Sequence, residues 1–358
     1  MTESFHEGAA VLALTVTPGK ANSARLEEMP EPAATDGALL VRARAVGMCG
    51  TDAEIVSGKY GWAPTGGDRL IIGHESLGVI DEAPPDSSFA KGDLVVGIVR
   101  RPDPVPCLNC GVGEWDMCRN GLYTERGIKK RHGYCSERFR LEPEFAVKVD
   151  PALGLHGVLL EPTSVVAKAW EQIDRIGHRS AWSPRSVLVT GAGPVGLLAA
   201  LLGSQRGLEV HVFDRVTDGP KPVLTRALGA VYHAGSLDEV KLDPDIVIEC
   251  TGASSVIVDV LNGTAAGGIV CLAGVSSGGY RIELDLGRLN RSMVLENDVV
   301  FGSVNANRRH YEIAAAALAK ADPGWLAQII TRRIPLTRWQ EALRHQDRDI
   351  KVVIDFEA

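Results

Sequence analysis

Positive charge is in short supply in this sequence: 38 Lys and Arg stand against 45 Asp and Glu, a net charge of −7 over 358 residues. A net-negative chain offers little to a phosphate backbone or an anionic bilayer, so no nucleic acid and no membrane is expected among its partners. The opening stretch MTESFHEGAAVLALTV is acidic at its start and lacks the basic n-region and small-residue cleavage site of a secretory signal. A cytoplasmic location is therefore the expectation. No residue is charged between Arg185 and Arg206, yet Gly191, Gly193, Pro194, Gly196 and Gly203 interrupt that stretch. A buried strand, turn and helix fits it better than a membrane span. Internal repeats and low-complexity segments are also missing. What remains is a polar small molecule as the simplest partner.

Cysteines are few and odd in number, seven in all. Cys107, Cys110 and Cys118 form a C-x2-C-x7-C cluster, which in a cytosolic chain reads as metal binding before disulfide. Cys250 and Cys271 lie in apolar runs and read as core, and Cys135 in HGYCSERF reads as a free thiol.

The length exceeds the range over which one hydrophobic core keeps growing, so two domains with a cleft between them are expected. Up to about residue 160 the chain shows short β-branched runs punctuated by Gly and Pro, such as LLVRARAVG, LIIGHESLGVI and DLVVGIV. That is an antiparallel β pattern. From Glu161 the character changes. PTSVVAKAW opens a helix with Pro162 at its first position, and the apolar runs SVLVT, EVHVF, DIVIEC, GIVCLAG and DVVFGSV then alternate with helical stretches as in a parallel sheet. RRHYEIAAAALAKA reads as a helix and the closing KVVIDF as a strand.

The run SVLVTGAGPVG leads an apolar strand into Gly191, Gly193 and Gly196 and on into the helical LLAALLGSQRG. Glycine motifs alone are common. Here the context is what a dinucleotide requires: Gly191 for the tight turn, Gly193 for backbone approach to a pyrophosphate, and Gly196 for packing of helix on strand. The phosphates would rest on the helix N-terminus at Pro194 and Val195. Asp214 follows EVHVF about 20 residues beyond the glycines, where a carboxylate accepts from the adenosine ribose hydroxyls. This favours NAD, while Arg215 next to it leaves room for the 2′-phosphate of NADP. The plainer account, a glycine turn with no nucleotide, leaves the acid in register unexplained.

Cys49 in MCGTD, His74 and Glu75 in GHESLG, and Glu161 in LLEPTS are scattered but chemically coherent. Cys, His and carboxylate suit a catalytic zinc, which takes three protein ligands and keeps a position open. Taken singly, a Cys is commonly core and a Glu before a helix commonly complements the dipole. Asp52 is placed to orient the ring of His74, and Thr51 to receive an alcohol proton. In the cysteine-rich lobe the fourth ligand is missing, since Pro104 stands three residues before Cys107. Asp103 or Asp116 would have to substitute, or the lobe holds reduced thiols and no zinc.

The order CGTD, GHE, GD before a Cys-rich lobe, EP and then GxGxxG resembles the zinc-dependent medium-chain dehydrogenase/reductase superfamily over essentially the whole chain. GIVRRP, LYTERGI with HGYCSERF, LLEPTSVVAKAW and FGSVNANRRHYEIAAAAL are similar, more specifically, to the glucose 1-dehydrogenase family. The resemblance implies an α/β architecture: a GroES-like, mostly-β catalytic domain of residues 1–165 completed by 304–358, and a Rossmann domain with a doubly wound parallel sheet over 166–303. It implies Zn2+ on Cys49, His74 and Glu161 with Glu75 as a close or exchanging ligand, and Glu125 and Asn305 against the sugar hydroxyls. Asn305 is also expected to touch the coenzyme. A surface ion pair with Arg126 or Lys129 is the blander account of Glu125, and a turn residue that of Asn305.

The implied reaction is oxidation of an aldose, glucose first, at C1 to the lactone, with hydride passing to NAD or NADP and Thr51 relaying the proton. A polyol or secondary-alcohol dehydrogenase is the rival within the superfamily, and a nucleotide-binding protein without catalysis the rival outside it. A homodimer or homotetramer is implied as well. Two departures stand out: the lobe lacks its first cysteine, and Val99 occupies the position before the Arg pair where some relatives carry Asn.

Overall fold

The computed structural model describes residues 10–276, 281–344 and 346–358, so the acidic start read above lies outside the described residues. The chain divides into two compact units, one of residues 1–161, 306–319 and 330–358, the other of residues 162–305 and 320–329.

In the first unit the strand Leu39–Met48 is the organising element. It pairs antiparallel with Glu75–Glu82 along its length, with Arg138–Leu141 near its start, and with Lys351–Asp355 near its end. Its pattern of β-branched and aliphatic residues leaves eight of ten positions buried, as befits a strand with neighbours on both edges. Lys351–Asp355 in turn pairs parallel with Ile330–Pro335, so the tail of the chain closes the sheet that its head began. Leu14, Leu39, Leu70, Ile72 and Ile80 are fully buried in the resulting core. Each contributes about 1.5–3 kcal/mol by leaving water. A small three-stranded sheet of Arg100–Arg101, Thr124–Arg126 and Lys130–Arg131 carries the GIVRRP and TERG motifs.

The second unit holds a six-stranded all-parallel sheet in the spatial order Val231–His233, Glu209–Phe213, Ser186–Thr190, Ile246–Glu249, Ile269–Leu272 and Val299–Gly302. In chain order this is 3-2-1-4-5-6, the doubly wound arrangement whose direction reverses beside the first strand. All five residues of that first strand are buried, and the helix Pro194–Gln205 behind it buries eight consecutive residues from Gly196 to Gly203. Helices cover both faces of such a sheet, which explains runs that are apolar without alternation.

The five strands read from the sequence are all present, and the sixth, Val231–His233, is a three-residue edge strand that the pattern did not mark. The helix at LLEPTS begins at Leu160, two residues before the expected start, so Pro162 sits within the first turn, where its missing amide removes no helical bond. The helix Pro323–Ile329 belongs to the second unit, whereas the sequence reading kept all of 304–358 with the first. Trp325 is the reason: it is buried and its indole donates to the carbonyl of Leu224 at 2.8 Å. No helix among the described residues is long and apolar enough to cross a membrane.

Candidate active site

In the first unit, Leu39–Met48 ends at Met48 and the short helix Gly50–Val56 starts at once, with Cys49 as its N-cap. Asp52, wholly buried on the first turn, reaches back so that its Oδ2 accepts from the Cys49 amide at 3.0 Å and its Oδ1 from the Gly73 amide at 3.3 Å. One carboxylate thus ties the Cys49 turn to the GHE strand. His74 stands between them, its Nε2 3.2 Å from the Cys49 thiol and its Nδ1 3.5 Å from Asp52 Oδ1. The second distance suits an ion pair but is long for a well-formed hydrogen bond. Burial works against protonation of His74, but the Cys49 and Asp52 charges overcome it and raise the ring's affinity for a proton well above the ordinary.

Ligand atoms of Cys49, Asp52 and His74 lie within 4.8 Å of one another, as do those of His74, Glu75 and Glu161. His74 belongs to both groups, and that shared position gathers the four residues picked from the sequence around one imidazole. Burial, with Glu75 alongside, pushes the Glu161 carboxyl up to about 7. A partly buried thiol on one side of His74 and buried carboxylates on the other, with Asp52 behind the ring, form a donor set suited to zinc.

The partner of Glu75 lies far away in the sequence. Lys351, fully buried, donates to Glu75 Oε1 at 2.6 Å and Oε2 at 2.7 Å, and to the Met48 carbonyl at 3.3 Å. A side chain on Gly47 would collide with Glu75, its Cβ falling 2.0 Å from Oε2. Thr51 lies half-buried on the same first turn as Asp52. Its hydroxyl stays out of the hydrogen bonds among the described residues.

Glu125 is buried, not a surface residue, and its ion pair is with neither Arg126 nor Lys129. Arg100 holds it through Nε at 3.1 Å and Nη2 at 2.9 Å, both to Oε1, because Arg100 and Glu125 are direct partners across their strands. Asn305 falls at the end of the second unit's first segment and adopts φ 63°, the left-handed backbone of a turn.

The lobe brings Cys107, Cys110 and Cys118 together, and that close group contains no carboxylate. Asp103 Oδ1 accepts from the Val105 amide at 2.9 Å, and Asp116 Oδ1 accepts from the Asn307 side-chain amide at 2.8 Å. Neither carboxylate lies in that close group, so the three thiols are one ligand short of a closed tetrahedral zinc site. Backbone amides of Arg119, Cys110 and Asn109 lower Cys107 to about 6, while burial pushes Cys110 up to about 11.

In the second unit Gly191 takes φ 90° and its amide donates to the Phe213 carbonyl at 2.7 Å. A Cβ on Gly196 would meet the Gly191 carbonyl oxygen at 1.7 Å, so the turn closes only on glycine. Gly193 caps the helix, Pro194 and Val195 open it, and space beside Gly193 is clear. The amides of that first turn have no intrahelical partners and favour an anion. Asp214 stands at the end of the second strand as expected, with Oδ2 accepting from the Ala192 amide at 2.7 Å and Oδ1 from the Val216 amide at 3.0 Å. Arg215 is exposed. Lys221, which the sequence reading passed over, donates to Asp214 Oδ2 at 3.0 Å.

Comparison with known proteins shows the family. Residues 154–356 match the family described as glucose dehydrogenase C-terminus, and residues 35–151 the alcohol dehydrogenase GroES-like domain. The chain is 40% identical over 357 residues to a glucose 1-dehydrogenase of Methanocella arvoryzae, covering 97% of this chain and 99% of that protein. It is also 40% identical to a glucose 1-dehydrogenase of Thermoproteus tenax, over 96% of this chain and 98% of that one. Among solved structures, Haloferax mediterranei glucose dehydrogenase in complex with NADP, Zn and gluconolactone superposes with a TM-score of 0.89 at 32% identity, covering 97% and 99% of the two chains.

Proposed function

The chain belongs to the glucose 1-dehydrogenase family of zinc-dependent medium-chain dehydrogenases, and on that premise we propose that it oxidises glucose at C1 to the lactone with NAD(P)+ as hydride acceptor. The observation that carries this reading is His74, shared between a thiol and two carboxylates with Asp52 fixed behind its ring.

Cys49, His74 and Glu161 would hold the zinc. A bound zinc supplies Lewis acidity that makes a hydroxyl easier to deprotonate near neutral pH. Asp52 faces Nδ1 of His74 at 3.5 Å, and Nε2, 3.2 Å from the Cys49 thiol, is the nitrogen turned to the metal ligands. Thr51, on the turn that begins at Cys49, takes the hydroxyl proton and passes it to solvent. Glu125, braced by Arg100, accepts from a sugar hydroxyl, and Asn305 serves sugar and coenzyme from its turn. The glycine turn of Gly191, Gly193 and Gly196 with Pro194 and Val195 receives the pyrophosphate, and Asp214 the adenosine ribose. The nicotinamide accepts the hydride.

Because Lys221 already balances the charge of Asp214, the ribose pocket tolerates a 2′-phosphate, and both NAD and NADP serve as coenzymes. We place the protein in the cytoplasm and expect a homodimer or homotetramer, as the family resemblance implies.

The test is initial-rate formation of NADH and NADPH with glucose, galactose, xylose, sorbitol and a simple secondary alcohol, before and after chelation and with zinc restored. Aldose oxidation lost on chelation and regained with zinc supports the reading. Turnover of sorbitol or the secondary alcohol alone would move the protein to the polyol branch and remove Glu125 and Asn305 from the sugar site.

A further inference from the structure

A second polar concentration lies in the first unit on the opposite face of the Glu125 strand. Successive strand residues point to opposite sides, so Glu125 and Arg126 in Thr124–Arg126 face apart. Arg126 lies against Glu142, 3.7 Å from Oε2. Arg101 donates to the same carboxylate at 2.8 Å, and Arg131 donates to its Oε1. Arg101 and Arg126 are each only 5% exposed. Three guanidinium groups therefore share one carboxylate. Arg131 and Glu142 keep some contact with water, but Arg101 and Arg126 are buried, and excess buried charge is costly unless it is paired.

The polar atoms show the same deficit. Nε of Arg126 and Nε of Arg131 are buried without a hydrogen-bond partner. The remaining nitrogens of Arg126 donate to the carbonyls of Arg140 at 2.7 Å and His132 at 3.3 Å, which pins the group in place. Both arginines line a groove of about 590 Å³ together with Lys130, Arg138 and Arg140. Two acids, Glu31 and Asp36, lie along it as well, and Glu31 is taken by Arg138 at 2.6 Å. Lys130 adopts φ 56°, an uncommon left-handed backbone, with its amide donating to the Trp62 carbonyl at 2.9 Å. His132 accepts from the Ile71 amide at Nδ1, so its neutral ring carries the proton on Nε2 as a donor. Burial and the nearby Arg126 lower its affinity for a second proton.

We propose that this groove is a binding site for a small phosphate-type oxyanion, inorganic phosphate or the phosphoryl group of a phosphate ester, held by Arg126 and Arg131 with Lys130 at its rim. The guanidinium fork matches the geometry of phosphate oxygens, and a rigid buried fork loses little entropy on binding. The site is separate from the glycine turn, which belongs to the other unit. The strand Thr124–Arg126 joins it to Glu125, so occupancy bears on the same short strand from its other face.

The test is isothermal titration of the zinc-loaded protein, saturated with NADP+ so that the coenzyme site is filled, with inorganic phosphate and separately with glycerol phosphate, against chloride at equal ionic strength. Saturable binding of one anion per chain is expected, with a rise in melting temperature that grows with the logarithm of anion concentration. Arg131→Gln should weaken binding about tenfold or more, the loss of a charge-assisted hydrogen-bonded contact, while leaving glucose turnover without added anion unchanged. Should that variant prove unstable, Arg138→Gln, at the edge of the groove, is expected to weaken binding to a smaller degree. Tighter binding of the ester than of phosphate would identify an esterified ligand, and equal binding phosphate itself. Absence of saturable heat with both anions, or equal affinity in wild type and both variants, overturns the proposal.

Discussion

Replacing Lys351 by Met tests how far Lys351 alone compensates the buried charge of Glu75. Lys351 and Glu75 are 1% and 2% exposed, and the ammonium contacts both carboxylate oxygens. Methionine fills nearly the volume of the lysine stem, so the substitution removes the charge with little loss of packing. Breaking a buried pair from one side leaves the partner's charge uncompensated, which costs about 3–5 kcal/mol. For a unit of this size about 2–4 °C of melting temperature accompanies each kcal/mol, so the expected fall is about 6–20 °C. Denaturant unfolding of the metal-free protein measures it. The double variant Lys351→Met with Glu75→Gln buries no net charge and should recover part of the loss. Zinc, by returning positive charge to the cluster, should shrink the penalty of the single variant. A loss below about 1 kcal/mol in the metal-free single variant would mean that Glu75 has another source of compensation, and the reasoning would fail.

Burial resists ionisation of Glu142, but hydrogen bonds and charge from Arg101, with Arg131 and Arg126, overcome it and hold its carboxyl at about 2, against an ordinary 4.5. A lowered folded pKa contributes stability that is present above the unfolded value and is lost as pH falls from about 4.5 towards 2, on the order of 1–2 kcal/mol after solvent screening of this partly exposed carboxylate. Acid unfolding curves should therefore steepen in that window, and Glu142→Gln should flatten them. At the ribose pocket, Lys221→Ala leaves Asp214 unbalanced and should reduce kcat/KM with NADP about tenfold more than with NAD, as steady-state rates with the two coenzymes would reveal. Equal losses would remove Lys221 from coenzyme choice. For the lobe, metal analysis of the purified protein should find one zinc per chain, unchanged in Cys107→Ser; a second equivalent lost in that variant would show that the three thiols do complete a site.

Where chemistry is local, the sequence was transparent. The glycine turn needs residues that sit within a few positions of one another, and Asp214 follows from the length of one helix and one strand. Apolar runs such as SVLVT announce a strand covered on both faces without further information. The partners missed are those set by strand register. Gly47 lies opposite Glu75 on one side and Val353 on the other, and only that arrangement carries Lys351 to a carboxylate 276 residues away. A lysine heading the run KVVIDF otherwise reads as a strand end in water. Arg100 and Glu125 meet for the same reason, across a pairing of two very short strands. Lys221 reaches Asp214 from the first turn of the next helix, Pro220–Ala227, a separation that matches no helical or strand period. The edge strand Val231–His233 is too short to show a period at all.

These contacts also sharpen what an exchanging role for Glu75 would require. To reach a metal beside His74, Glu75 must leave Lys351, and that step alone costs about 3–5 kcal/mol. A metal–carboxylate bond can cover such a cost, since structural zinc sites release about 10–16 kcal/mol on binding. The stranded ammonium then needs a new anion, and Glu161, whose charge already acts on Lys351, is the carboxylate in place to accept it. Exchange is thus a swap of two carboxylates between one lysine and one metal. In Lys351→Met the swap has lost its restraint, so Glu75 can stand in for Glu161 without penalty. Glu161→Gln should therefore weaken zinc binding less in the Lys351→Met background than in the wild type, by about tenfold for each 1.4 kcal/mol of coupling. Competition with a chromogenic chelator measures both steps, and an identical loss in the two backgrounds would show that Glu75 never takes the metal.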